Sequence, residues 1–175
     1  MTVQPIRHFG DPVLVTPAQL VVDFDKELRK LVKDLTETML EAPGAGLAAP
    51  QIGVPLRVFV WDVDEALGHL VNPTLELSSE QQEGDEGCLS FPELFQKVRR
   101  AKTIRVKYQT LEGLEVEEAL TGLHAKAFQH EYDHLHGVLF IDKLGPIGKM
   151  AARGAIASFE RLHLQDQKKG EIPPD

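Results

Sequence analysis

Residues 130–134 read His-Glu-Tyr-Asp-His, and that run admits few local structures. On a strand two side chains four apart share a face but stand far apart, whereas on a helix i and i+4 lie one turn above each other. On such a helix both imidazoles can reach one point in space. Glu131, rotated by about 100° around the axis, lies beside that point instead of on it. The H-E-x-x-H pattern reads as a hydrolytic metal site with the glutamate as general base. It supplies two ligands, whereas a catalytic site usually has three protein ligands and one water. The chain's one cysteine, Cys88 in Glu86-Gly87-Cys88-Leu89-Ser90, offers a thiolate as the third. A thiolate with two imidazoles suits zinc, iron or nickel better than magnesium or calcium, which favour oxygen ligands.

The five-residue pattern has competing readings. A buried helix whose histidines bond locally would show it too, and an isolated cysteine is commonly a buried thiol. Other metallohydrolases place the third ligand elsewhere. The continuation H-x-x-G-x-x-H fails here at Phe140, and a ligand from a later helix would have to be Glu160. Neither alternative gives Cys88 a role.

Periodicity places these residues on elements. Asp23 or Asp25 can cap a helix on which Leu28, Leu31, Val32, Leu35 and Met39 form one apolar stripe, stopped by Pro43-Gly44. A β-rich run follows at 56–63. A second short strand, 70–71 with 74–77, is broken at Asn72-Pro73. Residues 78–85 are polar and acidic and read as a solvated loop. From Val98 the pattern alternates, with Ile104, Val106 and Tyr108 on one face, and turns at Leu111-Glu112-Gly113 into 114–120 as a hairpin. Thr121 is then the N-cap of the motif helix and Gly137 its C-terminal stop. Apolar residues on several sides predict that this helix is buried. A last helix is expected over about 147–164. The stretch from about 166 to 175, with Gly170 and Pro173-Pro174, reads as a loose tail. Strands and helices segregate, so the class is α+β, and 1–175 reads as one domain.

One further segment, Gly44-Ala45-Gly46-Leu47-Ala48-Ala49-Pro50-Gln51, lies between the first helix and the first apolar strand. Taken together, G-x-G-L-A-A-P-Q, E-G-C-L-S and Q-H-E-Y-D-H-L-x-G resemble the three motifs of the peptide deformylases, in the same order, within a resemblance running from about Ile6 to Leu144. That resemblance implies antiparallel β-sheets packed around a central metal-binding helix, with an N-terminal and a C-terminal helix. It implies hydrolysis of the formyl group from N-formylmethionyl nascent peptides. It also implies one divalent metal held by Cys88, His130 and His134, Fe(II) in the cell, with zinc, nickel or cobalt as alternatives. Glu131 would be the base, and the Gln51 amide and Leu89 backbone N–H would face the developing oxyanion. The peptide would add as a strand near Ala45, Gly46 and Gly87, with Leu123 and Ala127 walling a methionine pocket. Glu86 would pair with Arg100 to shape the loop, and His124 and His136 fall off the ligand face.

Composition sets the remaining bounds. A net charge of −8 excludes a general phosphate-neutralising surface, so direct nucleic-acid binding is not expected. One cysteine cannot form an internal disulfide, which suits a reducing compartment. No apolar run approaches the about 20 residues of a membrane span, and the first residues lack the apolar segment of a signal peptide. The expected location is the cytoplasm. Some family members contact the ribosome through the C-terminal region. Here five Lys/Arg and four Asp/Glu after Gly145 give a transient ribosome contact little electrostatic support.

Overall fold

A computed structural model describes residues 3–169, with the side chains of Glu93 and of 159–169 excluded. The first helix, α1 (Lys26–Glu41), starts where the Asp25 carboxylate accepts from the Leu28 N–H at 3.1 Å. Its predicted stripe, Leu28, Leu31, Val32, Leu35 and Met39, is buried throughout. After it come β1 (Gly46–Ala48), β2 (Val58–Val63), β3 (Ala66–Leu77), β4 (Gln81–Cys88), β5 (Phe91–Ala101), β6 (Thr103–Gln109) and β7 (Glu115–Thr121). The motif helix α2 (Gly122–Leu135) and α3 (Pro146–Lys169) complete the order.

All strand pairs are antiparallel, in a five-stranded sheet of order β1-β2-β3-β6-β7 and a separate β4-β5 ribbon. Helix α2 packs on β1 and β2 and also reaches β5. Phe128 sits edge-on to Phe59, ring centroids 5.3 Å apart, and 4.5 Å from Trp61. Ala125 and Leu135 join Leu70, Ile104 and Val106 in that core. Helix α1 and Leu47, Val58 and Val60 form a second core, and β5 closes a third with Phe140, Ile141 and Ala152. The expected class and the burial of the motif helix are thus what the chain adopts.

Four local expectations need correction. Residues 78–85 are not a loop, because 81–85 run in β4, paired with β5. The inward-facing side chains of β4 are polar or absent, and their partners are polar too: Gln82 donates to the Ala101 and Gly122 carbonyls. Such a strand carries no apolar period. Next, the alternation from Val98 is two strands. β5 ends at Ala101, Lys102 breaks the chain's direction, and β6 enters the other sheet.

Third, β3 runs unbroken through Asn72-Pro73, where the register shifts and Asn72 takes φ 52°. The Asn72 side chain there bonds both the N–H and the C=O of Val21, each at 2.9 Å, so the bulge clips the irregular N-terminal segment to the sheet. Last, α3 continues to Lys169, past the expected start of the tail. Gln165, Gln167, Lys168 and Lys169 are good helix formers, and residues 170–175 lie outside those described. Thr121 does occupy the N-cap of α2, but its hydroxyl donates to the Lys102 carbonyl instead of capping. Gly137, at φ 74°, ends that helix as expected.

Candidate active site

The site forms where three elements meet. Cys88 is the last residue of β4, and Leu89-Ser90 turns the chain into β5, so the thiol faces the junction of ribbon and helix. His130 and His134 stand one turn apart on α2 with ring centroids 5.0 Å apart. The ligand atoms of Cys88, His130 and His134 all lie within 4.8 Å of one another, with Cys88 Sγ 3.3 Å from His134 Nε2. Among the described residues this is the one cluster of three such groups so close together. One soft donor and two imidazoles at that spacing fit a single divalent cation.

The histidines are held by what surrounds them. His130 Nδ1 lies 2.9 Å from Glu86 Oε1, which directs Nε2 towards the cluster. Glu86 in turn receives both Nε and Nη2 of Arg100 at 2.9 Å, and Arg100 Nη1 reaches Asp133. The expected Glu86–Arg100 pair is therefore one part of a buried chain that ends on His130. Burial alone would raise the Glu86 carboxyl, but hydrogen bonds from His130 and Arg100 outweigh it and hold the group near 2. For the protein groups alone, burial also pushes His134 well below the usual imidazole range. In His130 burial is outweighed by hydrogen bonds to Cys88 and Glu86, which raise it.

This chain makes a stability prediction. Arg100→Leu leaves the Glu86 carboxylate buried without its guanidinium, a change that costs about 3–5 kcal/mol in comparable buried pairs. Thermal denaturation should show a large fall in Tm, partly restored by adding Glu86→Gln. An unchanged Tm would mean that the pair is not compensating a buried charge.

Glu131 is 5% exposed, and its Oε1 has no protein hydrogen-bond partner. Burial, the largest influence, lifts its carboxyl to about 7 against the opposing charge of His130. Gly46 makes room for it, since a Cβ at Gly46 would lie 2.6 Å from Glu131 Oε2. Gln51, 1% exposed, sits in the short 3-10 turn Ala49–Ile52. Its Oε1 accepts from the Ala48 N–H, while Nε2 donates to Ser90 Oγ at 3.1 Å and points at Cys88 Sγ at 3.5 Å.

A cavity of about 780 Å3 opens onto this cluster. Ala45, Gly46, Gly87, Leu89, Leu123 and Ala127 all line it, and Gln51, Cys88, His130 and Glu131 reach into it. His134 closes the cluster from behind. His124 and His136 are elsewhere, the first near Asp64 and the second against Tyr132. Three contributors escaped the sequence reading. Ser90 orients Gln51 from inside the E-G-C-L-S run, and Asp133 braces Arg100 from inside H-E-x-x-H, so both had a motif address but no distinguishing chemistry. Lys126 bridges to β4, a strand that was itself not foreseen. Glu160, the alternative third ligand, lies outside the described side chains.

Comparison with known proteins decides what this geometry belongs to. Residues 3–150 match the model of the polypeptide deformylase family. The chain belongs to the polypeptide deformylase family. A peptide deformylase of Acidothermus cellulolyticus is 60% identical over 160 residues, covering 91% of this chain and 89% of the relative. The crystal structure of the Thermotoga maritima peptide deformylase superposes with TM-score 0.81 at 48% identity, over 82% of this chain and 99% of that one. A plant peptide deformylase reaches TM-score 0.92 at 31% identity, over 99% of this chain and 96% of that one. The enzyme is a metal-dependent hydrolase that removes the N-formyl group from nascent peptides. No helix among the described residues is long and apolar enough to cross a membrane.

Proposed function

We propose that Cys88, His130 and His134 hold the metal, that Glu131 is the general base, and that the Gln51 amide and Leu89 backbone N–H receive the oxyanion. The observation that carries the assignment is the state of Glu131. It is a buried carboxylate with one unpartnered oxygen, pressed against Gly46 at the wall of the cavity that holds the Cys/His/His cluster. A divalent cation held by these three residues, Fe(II) in the cell with zinc, nickel or cobalt as substitutes, would supply Lewis acidity and make water a stronger acid there.

The chain's own residues carry the rest. Glu131, with a carboxyl poised near neutrality, takes a proton from the attacking water and delivers it to the leaving amine of methionine. As the formyl carbonyl gains a fourth substituent, negative charge grows on its oxygen. Gln51 is prepared to meet it. Its amide orientation is fixed by Ala48 and Ser90, which leaves the N–H nearer Cys88 directed at the cluster. The peptide runs along Ala45-Gly46 and Gly87. β1 is the outermost strand of its sheet, and strand addition to such an edge binds main chain and tolerates many sequences. The methionine side chain points between Leu123 and Ala127. We place the enzyme in the cytoplasm, where formylated nascent chains emerge, with any ribosome contact transient.

Formyl-Met-Ala-Ser and Met-Ala-Ser, incubated separately, test the reading. Formate from the first and peptide fragments from neither is the expected result; internal cleavage of both would overturn it. An apolar pocket of methionine size also predicts a preference for formyl-Met over formyl-Ala of about ten- to two-hundred-fold in kcat/KM.

A further inference from the structure

Helix α2 and strand β4 face each other across the back of the cavity, and two of the contacts that join them bear on its wall. One is the contact of His130 with Glu86. The other lies one helical turn earlier, where Lys126 Nζ donates to the Asp85 carbonyl at 2.6 Å. The Lys126 side chain thus spans the gap, and it lines the same cavity as Leu123 and Ala127. Two neighbours support that path. Gly84 supplies no side chain, and a Cβ there would already lie 3.3 Å from Nζ. Leu123, 57% exposed on the same stripe of α2, forms the adjoining wall.

A lysine that lays its methylenes along apolar surface and its ammonium on a fixed acceptor is an ordinary way to close such a gap. Here the latch is a backbone carbonyl, so it holds the stem without a charge partner. We propose that the Lys126 stem is the end wall of the methionine pocket and sets the length of first side chain that the enzyme accepts. The proposal rests on the assignment of Leu123 and Ala127 to that pocket.

Three proteins are compared: the parent enzyme, Lys126→Ala and Lys126→Met. Each is assayed for formate release from formyl-X-Ala-Ser, where X is alanine, methionine, norleucine or the longer 2-aminooctanoic acid. The parent should peak at methionine and norleucine. Removing the stem should move the optimum to 2-aminooctanoic acid, each newly buried methylene contributing about fourfold in kcat/KM. Lys126→Met keeps a stem of similar reach but loses the latch, so its optimum should stay with the parent's. General destabilisation would lower all four substrates together and leave the optimum in place, which overturns the proposal. An optimum that moves equally in both variants also overturns it, because the ammonium would then be the wall. Ala127→Leu serves as the control for the underlying reading. If it does not shift selectivity towards formyl-Ala, the methionine pocket itself has been misplaced, a failure distinct from that of Lys126.

Discussion

Glu131→Gln should keep its metal and lose turnover by about 10²–10⁴-fold, the range for removing a positioned general base. The substitution keeps the shape of the side chain, so it can occupy the space that Gly46 leaves for the carboxylate. It does not touch Cys88, His130 or His134. What it removes is proton affinity. A carboxyl that burial lifts to about 7 can accept and release a proton near neutral pH, whereas an amide cannot. Metal content measured beside the rate of formate release separates the two roles that a glutamate could have here. Normal turnover with full metal would mean that Glu131 only braces its neighbours; lost metal would mean that it helps to hold the cation.

Cys88→Ala should lose the metal, and activity with it. Two imidazoles one turn apart remain, and they can hold a divalent cation only weakly, because the third donor within 4.8 Å is gone. The variant should still fold. Cys88 is only half-buried at the end of β4 and packs at the margin of the third core, which keeps its own buried members. Metal-to-protein ratios after dialysis against a chelator give the readout, with circular dichroism to verify the fold. Full occupancy in the alanine variant would remove the thiolate from the ligand set.

What the sequence made legible followed from strong periods and from residues with unusual chemistry. The stripe of α1, the hairpin β6-β7 and the H-E-x-x-H helix all carry a pattern that survives without context. The meeting of Cys88 with the two histidines was legible only in context. A lone cysteine is commonly a buried thiol, and it was the E-G-C-L-S run beside the two other motifs that marked it as a candidate ligand. The β4 strand was hidden because its inward positions, Gln82, Gly84 and Glu86, satisfy a polar environment. The change of sheet at Lys102 was hidden because alternation continues across it. Asn72 looked like a break because proline follows it, yet its side chain replaces lost ladder bonds by binding Val21. The role of Arg100 was half legible. Its partner Glu86 could be named, but Asp133 and the contact to His130 depend on how closely α2 packs on the ribbon.

The two outer strands of the five-stranded sheet face opposite hazards. An unpaired strand edge is a template for another chain, and soluble proteins guard such edges against self-association. β7 is guarded by charge. Glu115, Glu117 and Glu118 are exposed along seven residues, so two copies meeting edge to edge would bring carboxylates together. β1 has no charge of its own and is the edge proposed to take the peptide. Its protection is brevity and depth: it is three residues long, Leu47 and Ala48 are fully buried, and Gly46 stands at the wall of the cleft. A single unfolded chain terminus can enter where a folded neighbour cannot, so on the proposed reading the geometry that would admit a nascent chain also disfavours edge-to-edge pairing of two copies.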